Sequence, residues 1–168
     1  RQGPPIYVTL ALNAQIPPKE LMTLYFEDYH VGQTFSVKPI SLSAEEIIVF
    51  AELYDPRPFH LSEEAGQKTR FKGLIASGFH TLTAAWSAWV KSDINKDGTI
   101  CGIGIDHLRW TTPVYAGDTL QSQLTIIAKK ASASGDSGTI TCLYETQNQH
   151  HEKVLSFEGL VLVACRPC

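Results

Sequence analysis

The sequence lacks the features that define several common classes of protein. Its 168 residues carry a net charge of −3, so no basic excess is available for binding nucleic acid or anionic lipid. Its first residues do not join a basic segment to an apolar one, so secretion is not indicated and we expect a cytoplasmic protein. What remains is an ordinary globular protein, for which 43% apolar and 18% charged residues are typical.

Patterns for disulfide bonds and metal ions are also weak. Four cysteines are too few and too scattered for a disulfide framework. Cys165 and Cys168 form a lone C-x-x-C pair, which fits two ordinary thiols better than a zinc or redox site. The six histidines show no metal-ligand spacing, and we expect no metal site.

One stretch has the length and the lack of charge of a possible membrane span. Residues 73–90, GLIASGFHTLTAAWSAWV, carry no formal charge. Their glycine, serine, threonine and histidine residues make the stretch too polar for a helix that faces lipid. It instead predicts a long helix buried inside a soluble domain.

The chain length favours a single domain that begins close to the only methionine, Met22. Residues 1–21 contain four prolines and no clear helical or strand periodicity, which indicates an N-terminal extension or a remnant of cloning. We therefore expect one domain over residues 22–168.

In the first part of this domain, the sequence predicts a strand followed by helices. Alternation over residues 35–42 predicts the strand, and Ser43 with Glu46 predicts a capping box at the start of a helix. Ser62 predicts a second, short helix that reaches about Lys68. In the first helix, four apolar residues recur at helical spacing and predict one buried face: Ile47, Phe50, Ala51 and Tyr54.

The second half of the chain predicts β structure. Four runs of strand length, separated by turn signals, cover residues 100–112, 118–130, 139–147 and 153–165. Such consecutive runs predict a four-stranded antiparallel meander. Together with the uncharged helix they predict an α+β fold in which an antiparallel sheet wraps around a long central helix.

The stretch between the two shorter helices, YDPRPFH at residues 54–60, has an unusual composition. Pro56 and Pro58 each fix φ and remove a backbone donor, so we expect neither helix nor central strand here. The result is a rigid connector that holds the Asp55 carboxylate and the His60 imidazole at a nearly constant separation. Residue types alone favour a helix-capping aspartate and a half-buried turn histidine over a catalytic pair.

Three stretches in this order resemble one known family. They are YFEDYHVGQTF at residues 25–35, the run 50–78 with Asp55-x4-His60 and LIASGFHT, and the P-V-x-x-G-D-T-L pattern at 113–120. They resemble the MaoC-like hydratase/dehydratase family, close to the (R)-specific enoyl-CoA hydratases. The resemblance implies a hot-dog fold and makes Asp55 and His60 a catalytic pair.

Two positions depart from the family's pattern. Many members read D-x-N-P-x-H, whereas this chain has Arg57 in place of the asparagine. Ser62 stands where an acidic residue often follows the histidine. Both departures leave the expected catalytic atoms in place and bear on substrate preference.

The resemblance implies a lyase that adds water to a trans-2-enoyl-CoA to give a (3R)-3-hydroxyacyl-CoA, or the reverse. Coenzyme A enters as part of the substrate, and no cofactor is expected. We expect Asp55 to position the water as a base and carry a proton, and His60 to activate the same water. Which of the two returns a proton to the α-carbon stays open.

The negative charge that develops on the thioester oxygen needs a hydrogen-bond donor. Gly78 follows Ser77 at the start of the long helix, where a backbone N–H is free and the helix dipole is positive. By resemblance, Gly78 and Ser77 form the oxyanion and substrate-binding site. A glycine that is small only because the helix packs closely fits the same position.

Other polar residues in the matched stretches receive no catalytic role. His80 fits a satisfied core histidine, and Asp118 fits a turn residue. By strand alternation Arg109 shares a face with Ile105 and His107. Two interpretations of Arg109 stay open, namely contact with a partner chain or with the phosphates of coenzyme A.

Two other functions fit the same pocket, a hot-dog acyl-CoA thioesterase and a non-catalytic acyl-CoA-binding module. The D-x4-H pair and the G-D-T-L turn favour the lyase. The predicted sheet has an open edge, and the resemblance implies a homodimer or higher homo-oligomer with the pocket near the subunit boundary.

Overall fold

The computed structural model describes residues 23–92, 94 and 97–167. The extension predicted over residues 1–21, the start of the domain at Met22 and Cys168 therefore lie outside the described residues. The elements are α1 (Ala44–Tyr54), α2 (Pro58–Leu61), α3 (Glu63–Gln67), α4 (Gly78–Val90), β1 (Thr34–Ser36), β2 (Ile40–Ser41), β3 (Thr99–Trp110), β4 (Thr119–Ala131), β5 (Ser137–Gln147) and β6 (Lys153–Ala164). Among the described helices, none combines the length and the apolar character needed to cross a membrane.

The sheet is antiparallel, and its strands lie in the order β1-β4-β5-β6-β3, with β2 also paired to β4. The predicted strand positions are confirmed, but the four-stranded meander is wrong, because β3 pairs with β6 and not with β4. The link from β3 to β4 passes the start of α4, where the N–H of Ala76 donates to the carbonyl of Val114 at 2.8 Å. This crossing separates two strands that are neighbours in sequence. The single strand predicted over residues 35–42 is likewise divided into β1 and β2.

The core lies between the sheet and α4. Side chains of β5 and β6 alternate between buried and partly exposed, because successive residues of a strand point to opposite faces. Tyr144 of β5 stacks on Phe157 of β6 at 4.9 Å, and its hydroxyl donates to the carbonyl of Ala85 in α4 at 2.6 Å. Trp89 of α4 packs 5.4 Å from Phe35 of β1. The sheet therefore packs against α4 as predicted, but the helix is buried only in part, at His80, Thr81, Ala85 and Trp89.

The first helix begins as predicted and ends differently. Ser43 Oγ accepts the N–H of Glu46, and the Glu46 carboxylate accepts the N–H of Ser43, which completes the capping box. Of its predicted apolar face, Ile47 and Ala51 are fully buried, but Tyr54 is 70% exposed. The prediction fails at Tyr54, because the ring of this residue lies on Phe50 of its own helix, 4.9 Å away, and not in the core.

The outer edge of β3 differs from the other long strands. Ten of its twelve residues are exposed and the other two are partly buried, so burial does not alternate along it, and Ile100, Ile103 and Ile105 are each at least half exposed. Within the described residues, β3 pairs with β6 on one side and with no strand on the other. A cavity of about 610 Å³ lies between β3 and α4, with Leu82, Trp86 and other apolar residues in its wall.

Candidate active site

Asp55 occupies the C-terminal end of α1. Its N–H donates to the carbonyl of Ala51 at 3.0 Å, and its own φ of −154° turns the chain out of the helix. Pro56 causes this exit, since a residue before proline disfavours the helical conformation. The Asp55 side chain is 21% exposed and thus reachable from solvent.

His60 lies in the helical turn α2, which corrects the sequence-based prediction of a connector without helix. Pro58 is the first residue of this turn, where a missing N–H and a fixed φ favour a helix. The non-helical connector is therefore limited to residues 55–57. The imidazole of His60 is nearly buried, and its Nδ1 lies 2.7 Å from the carbonyl oxygen of Ile75. Because a carbonyl only accepts, Nδ1 carries a hydrogen, so in the neutral tautomer Nε2 is the unprotonated nitrogen.

The third element is the start of α4. Ser77 is the N-cap of this helix, and its hydroxyl accepts the N–H of Phe79 at 3.3 Å. The same hydroxyl donates to Asp55 Oδ2 at 2.8 Å. Ser77 is 1% exposed, so the donor of the bond that joins the end of α1 to the start of α4 is buried.

These elements bring the two predicted catalytic side chains together. His60 Nε2 lies 3.5 Å from Asp55 Oδ2, while Asp55 Oδ1 accepts Arg57 Nε at 3.2 Å. A carboxylate oxygen and an unprotonated imidazole nitrogen both accept hydrogen bonds, so they have no proton to share. A water molecule has two O–H groups and can donate one to each. The pair therefore forms a site suited to holding and deprotonating a water.

Gly78 lies next to this pair as the first residue of α4, so its N–H has no partner within the helix. A Cβ at Gly78 would lie only 2.6 Å from two indole carbons of Trp110, which makes any larger residue a steric conflict. Trp110 also packs on Phe79, with ring centroids 5.1 Å apart. The structure shows the close packing at this position, and the role of the Gly78 N–H as a donor stays a prediction.

Trp110 was not predicted as part of the site. It is 32 positions beyond Gly78 in sequence, and no spacing pattern links the two residues. The link is made by the segment after β3, in which Tyr115 forms a β-bridge with Ile75. Asp118 accepts the N–H of Tyr115 at 2.8 Å, so the G-D-T-L turn supports the chain that positions residues 75–78. The prediction of Asp118 as a turn residue is confirmed.

Two other predictions are corrected. His80 is buried, but it is not satisfied, since its Nδ1 has no hydrogen-bond partner among the described residues and its ring stacks on Phe50 at 4.5 Å. Burial lowers the pKa of His80, and the nearby Glu46 carboxylate acts in the opposite direction. Arg109 follows an irregularity in β3 at residues 106–109, which interrupts the alternation used to place it beside Ile105. Its guanidinium donates to the carbonyl of Leu108.

Comparison with known proteins identifies the family of this chain. A family model for the MaoC like domain matches residues 28–148. The chain belongs to the MaoC-like family. Mesaconyl-CoA hydratase from Cereibacter sphaeroides is 32% identical over 145 residues, which cover 84% of this chain and 41% of that protein. An (R)-specific enoyl-CoA hydratase from Rhodospirillum rubrum is 34% identical over 109 residues, or 64% of this chain and 72% of that protein.

Solved structures support the same assignment. A MaoC-like dehydratase from Rhodospirillum rubrum shares 37% identity and a TM-score of 0.80, over 86% of this chain and 99% of that chain. A Mycobacterium tuberculosis protein with a double hotdog fold has a TM-score of 0.66 at 21% identity, over 86% of this chain and 45% of that chain, which is a likeness of fold alone. The predicted hot-dog fold and the MaoC-like hydratase/dehydratase family are thereby confirmed.

The polar groups of this MaoC-like site do not form a metal centre in the part of the chain that the structure describes. There, no three histidine, cysteine, aspartate or glutamate side chains lie close enough to hold a metal ion. The roles of Asp55, His60, Ser77 and Gly78 stay predictions, which the geometry makes specific enough to test.

Proposed function

We propose that this MaoC-like protein adds water to a trans-2-enoyl-CoA to give a (3R)-3-hydroxyacyl-CoA, or catalyses the reverse dehydration. The observation that carries the proposal is the pair of facing acceptors, Asp55 Oδ2 and His60 Nε2, at 3.5 Å. Each needs a hydrogen that the other cannot provide, and one water satisfies both. The same water, once deprotonated, is the nucleophile that the reaction requires.

The proton balance of hydration fits this pair. The oxygen of the water forms a bond to C3 of the enoyl group, and one of its protons passes to the Asp55–His60 pair. A proton is then delivered to C2, so the pair returns to its starting state. Groups of this chain supply every step, and the proposal includes no cofactor beyond the coenzyme A of the substrate.

The thioester oxygen becomes negative as C3 is attacked, and Gly78 is proposed to stabilise it. Its N–H lies at the positive end of α4, and the indole of Trp110 lies against the same residue. One oxyanion donor of this kind contributes about 3 kcal/mol to transition-state binding. Ser77 holds Asp55 from the same helix start, so donor and base keep a fixed separation.

The names of the relatives support a CoA thioester as substrate, since two that match are a mesaconyl-CoA hydratase and an (R)-specific enoyl-CoA hydratase. This chain spans 41% of the length of the first, so the comparison extends to one part of that enzyme. The shared element is an acyl group joined to coenzyme A, which we propose for this chain as well.

We further propose that two copies of this chain associate through β3. The strand has twelve residues, a free hydrogen-bonding edge in the described structure and three half-exposed isoleucines. Antiparallel pairing of β3 with β3 of a second copy satisfies the edge and covers Ile103 and Ile105. It also closes the cavity between β3 and α4, which begins one helical turn beyond Gly78.

The proposal is tested by assaying wild type and Asp55→Asn with trans-2-enoyl-CoAs of increasing chain length. We follow loss of the enoyl absorbance, configuration of the product and release of free thiol, with circular dichroism to confirm folding. We expect hydration by wild type and a loss of about 10²- to 10⁴-fold in the variant. Thiol release without hydration would instead indicate a thioesterase. Binding without turnover, unaffected by Asp55→Asn, would indicate a non-catalytic acyl-CoA-binding module.

A further inference from the structure

Arg57 is the one cation in direct contact with the Asp55–His60 pair among the described residues. Its neighbours Pro56 and Pro58 restrict the backbone on both sides, and its own φ and ψ of −81° and 139° are those of an extended residue. The backbone of Arg57 is therefore held close to Asp55 by a stiff segment.

The guanidinium of Arg57 is only partly used. Its Nε donates to Asp55 Oδ1 at 3.2 Å, and no partner is found for the two terminal nitrogens among the described residues. The side chain is 68% exposed. An arginine that serves only to neutralise a carboxylate is able to form two parallel hydrogen bonds to it. Here the planar end of the group, with four N–H donors, stays open for another anion.

The contacts of Asp55 join this free donor set to the carboxylate that is proposed to hold the water. Oδ2 of Asp55 faces His60 and Ser77, where the water is proposed to bind, and Oδ1 faces Arg57. If C1 of the substrate lies at the Gly78 N–H and C3 at the water, the next carbon of the acyl chain is C4. In that arrangement, a group attached at C4 would lie on the Arg57 side of Asp55.

We propose that Arg57 binds a carboxylate at this end of the acyl group, so that the substrate is an enoyl-CoA with an acidic group close to the double bond. This inference rests on the proposed function. The charge of Asp55 alone would repel such a substrate, whereas the neutral Asp55–Arg57 pair accepts it. Guanidinium also binds phosphate, but the pantetheine arm separates the phosphates of coenzyme A from the thioester, and Arg57 adjoins the reacting end.

The test compares two four-carbon substrates that differ only at C4, trans-2-butenedioyl-CoA with a carboxylate and trans-2-butenoyl-CoA with a methyl group. The measured quantity is the ratio of kcat/KM for the acidic substrate to that for the neutral one. We expect wild type to prefer the acidic substrate. Arg57→Asn, which restores the residue common in the family, is expected to lower the ratio roughly 10- to 100-fold, the usual value of a charged hydrogen bond.

Two further variants test whether the change in the ratio depends on the guanidinium of Arg57. Arg57→Lys keeps the charge without the planar donor set, and we expect it to recover part of the ratio. Lys38→Asn removes the same charge from an exposed residue between β1 and β2, and is expected to leave the ratio unchanged. An equal loss on both substrates in Arg57→Asn, or no preference in wild type, would overturn the inference.

A binding measurement separates this inference from the proposed hydratase function. Titration calorimetry with the saturated analogues butanedioyl-CoA and butanoyl-CoA reports recognition of the carboxylate without any chemistry. If wild type hydrates neither enoyl-CoA but binds the acidic analogue more tightly in an Arg57-dependent way, the function fails and the recognition stands. If hydration is observed and the two analogues bind equally, the recognition fails alone.

Discussion

The start of α4 and the outer edge of β3 differ in whether this chain provides hydrogen-bond partners and packing contacts for them. At the start of α4, the Ser77 hydroxyl both accepts and donates a hydrogen bond, and Trp110 covers Gly78. Along β3, the backbone edge is free in the described structure and isoleucines face solvent. The comparison teaches that the groups proposed for catalysis are held in place within one chain, whereas the strand edge beside them is left open by that chain.

The largest effect is expected at the edge. Ile103→Lys places a charge where β3 of a second copy is proposed to pack, and burial of an unpaired charge costs several kcal/mol. We expect the dissociation constant of the dimer to rise at least about 100-fold. Light scattering after size-exclusion chromatography over a range of concentrations measures this change.

Leu53→Lys is the matched control, because Leu53 is 68% exposed on the outer side of α1. The control should leave the assembly as in wild type. If wild type itself is a monomer at concentrations where it is active, the contrast between a completed site and an incomplete edge disappears.

A smaller effect is expected at the start of α4 from Gly78→Ala. The added methyl group meets the indole of Trp110 at 2.6 Å, and such overpacking lowers the free energy of unfolding by about 1–3 kcal/mol. Urea denaturation measures the loss. In the double variant with Trp110→Ala the conflict is removed, so the two changes should combine to less than their sum. Additive losses would show that Trp110 does not limit the size of residue 78.

The third prediction separates the two roles of the Ser77 hydroxyl. Ser77→Ala removes the N-cap of α4 and one hydrogen bond to Asp55, so we expect a loss of about 1 kcal/mol in stability together with a lower kcat. Ser43→Ala removes the equivalent cap of α1, which has no contact with Asp55, and should lower stability alone. Equal kcat values for the two variants would argue against a positioning role for Ser77.

The smallest effect concerns His80, which packs between α1 and α4 near the site. Burial lowers its pKa below the ordinary value of 6.5, so the unfolded chain binds the proton more readily than the folded one. Its contribution to pH dependence is absent above about pH 6.5. As the pH falls below that value and through the lower folded pKa, the free energy of unfolding decreases.

His80→Gln should therefore lose less stability than wild type between about pH 7.5 and about pH 5 in urea denaturation. His150→Gln, at an exposed histidine in the loop after β5, serves as the control and should follow wild type. A pH dependence identical in all three proteins would show that His80 does not titrate differently on folding.

Much of the architecture was predictable because local chemistry specifies it. The capping box at Ser43 and Glu46, the second cap at Ser62 and the long uncharged helix all form as the sequence indicates. The positions of the four long strands follow from alternation and turn residues. These signals involve residues that are a few positions apart, so they can be recognised in the sequence alone.

The errors share one cause, which is dependence on partners distant in sequence. The pairing of β3 with β6, the exposure of Tyr54 and the unpartnered Nδ1 of His80 are set by which elements meet. The helical turn at Pro58 departs from the prediction for another reason. Proline interrupts a helix at interior positions, but it is favoured at the first helical position, which Pro58 occupies.

By itself, the sequence determined the chemical types of the site and their local supports: an acid at a helix end, a histidine five positions later and a glycine at a helix start. Only the tertiary structure decided that these groups meet. The hydrogen bonds from Ser77 to Asp55 and from His60 to Ile75 close loops of 22 and 15 residues. Hydrogen bonds and packing between distant segments select one of many arrangements compatible with the same local pattern, and that selection brought the acid and the imidazole within 3.5 Å of each other beside the start of α4.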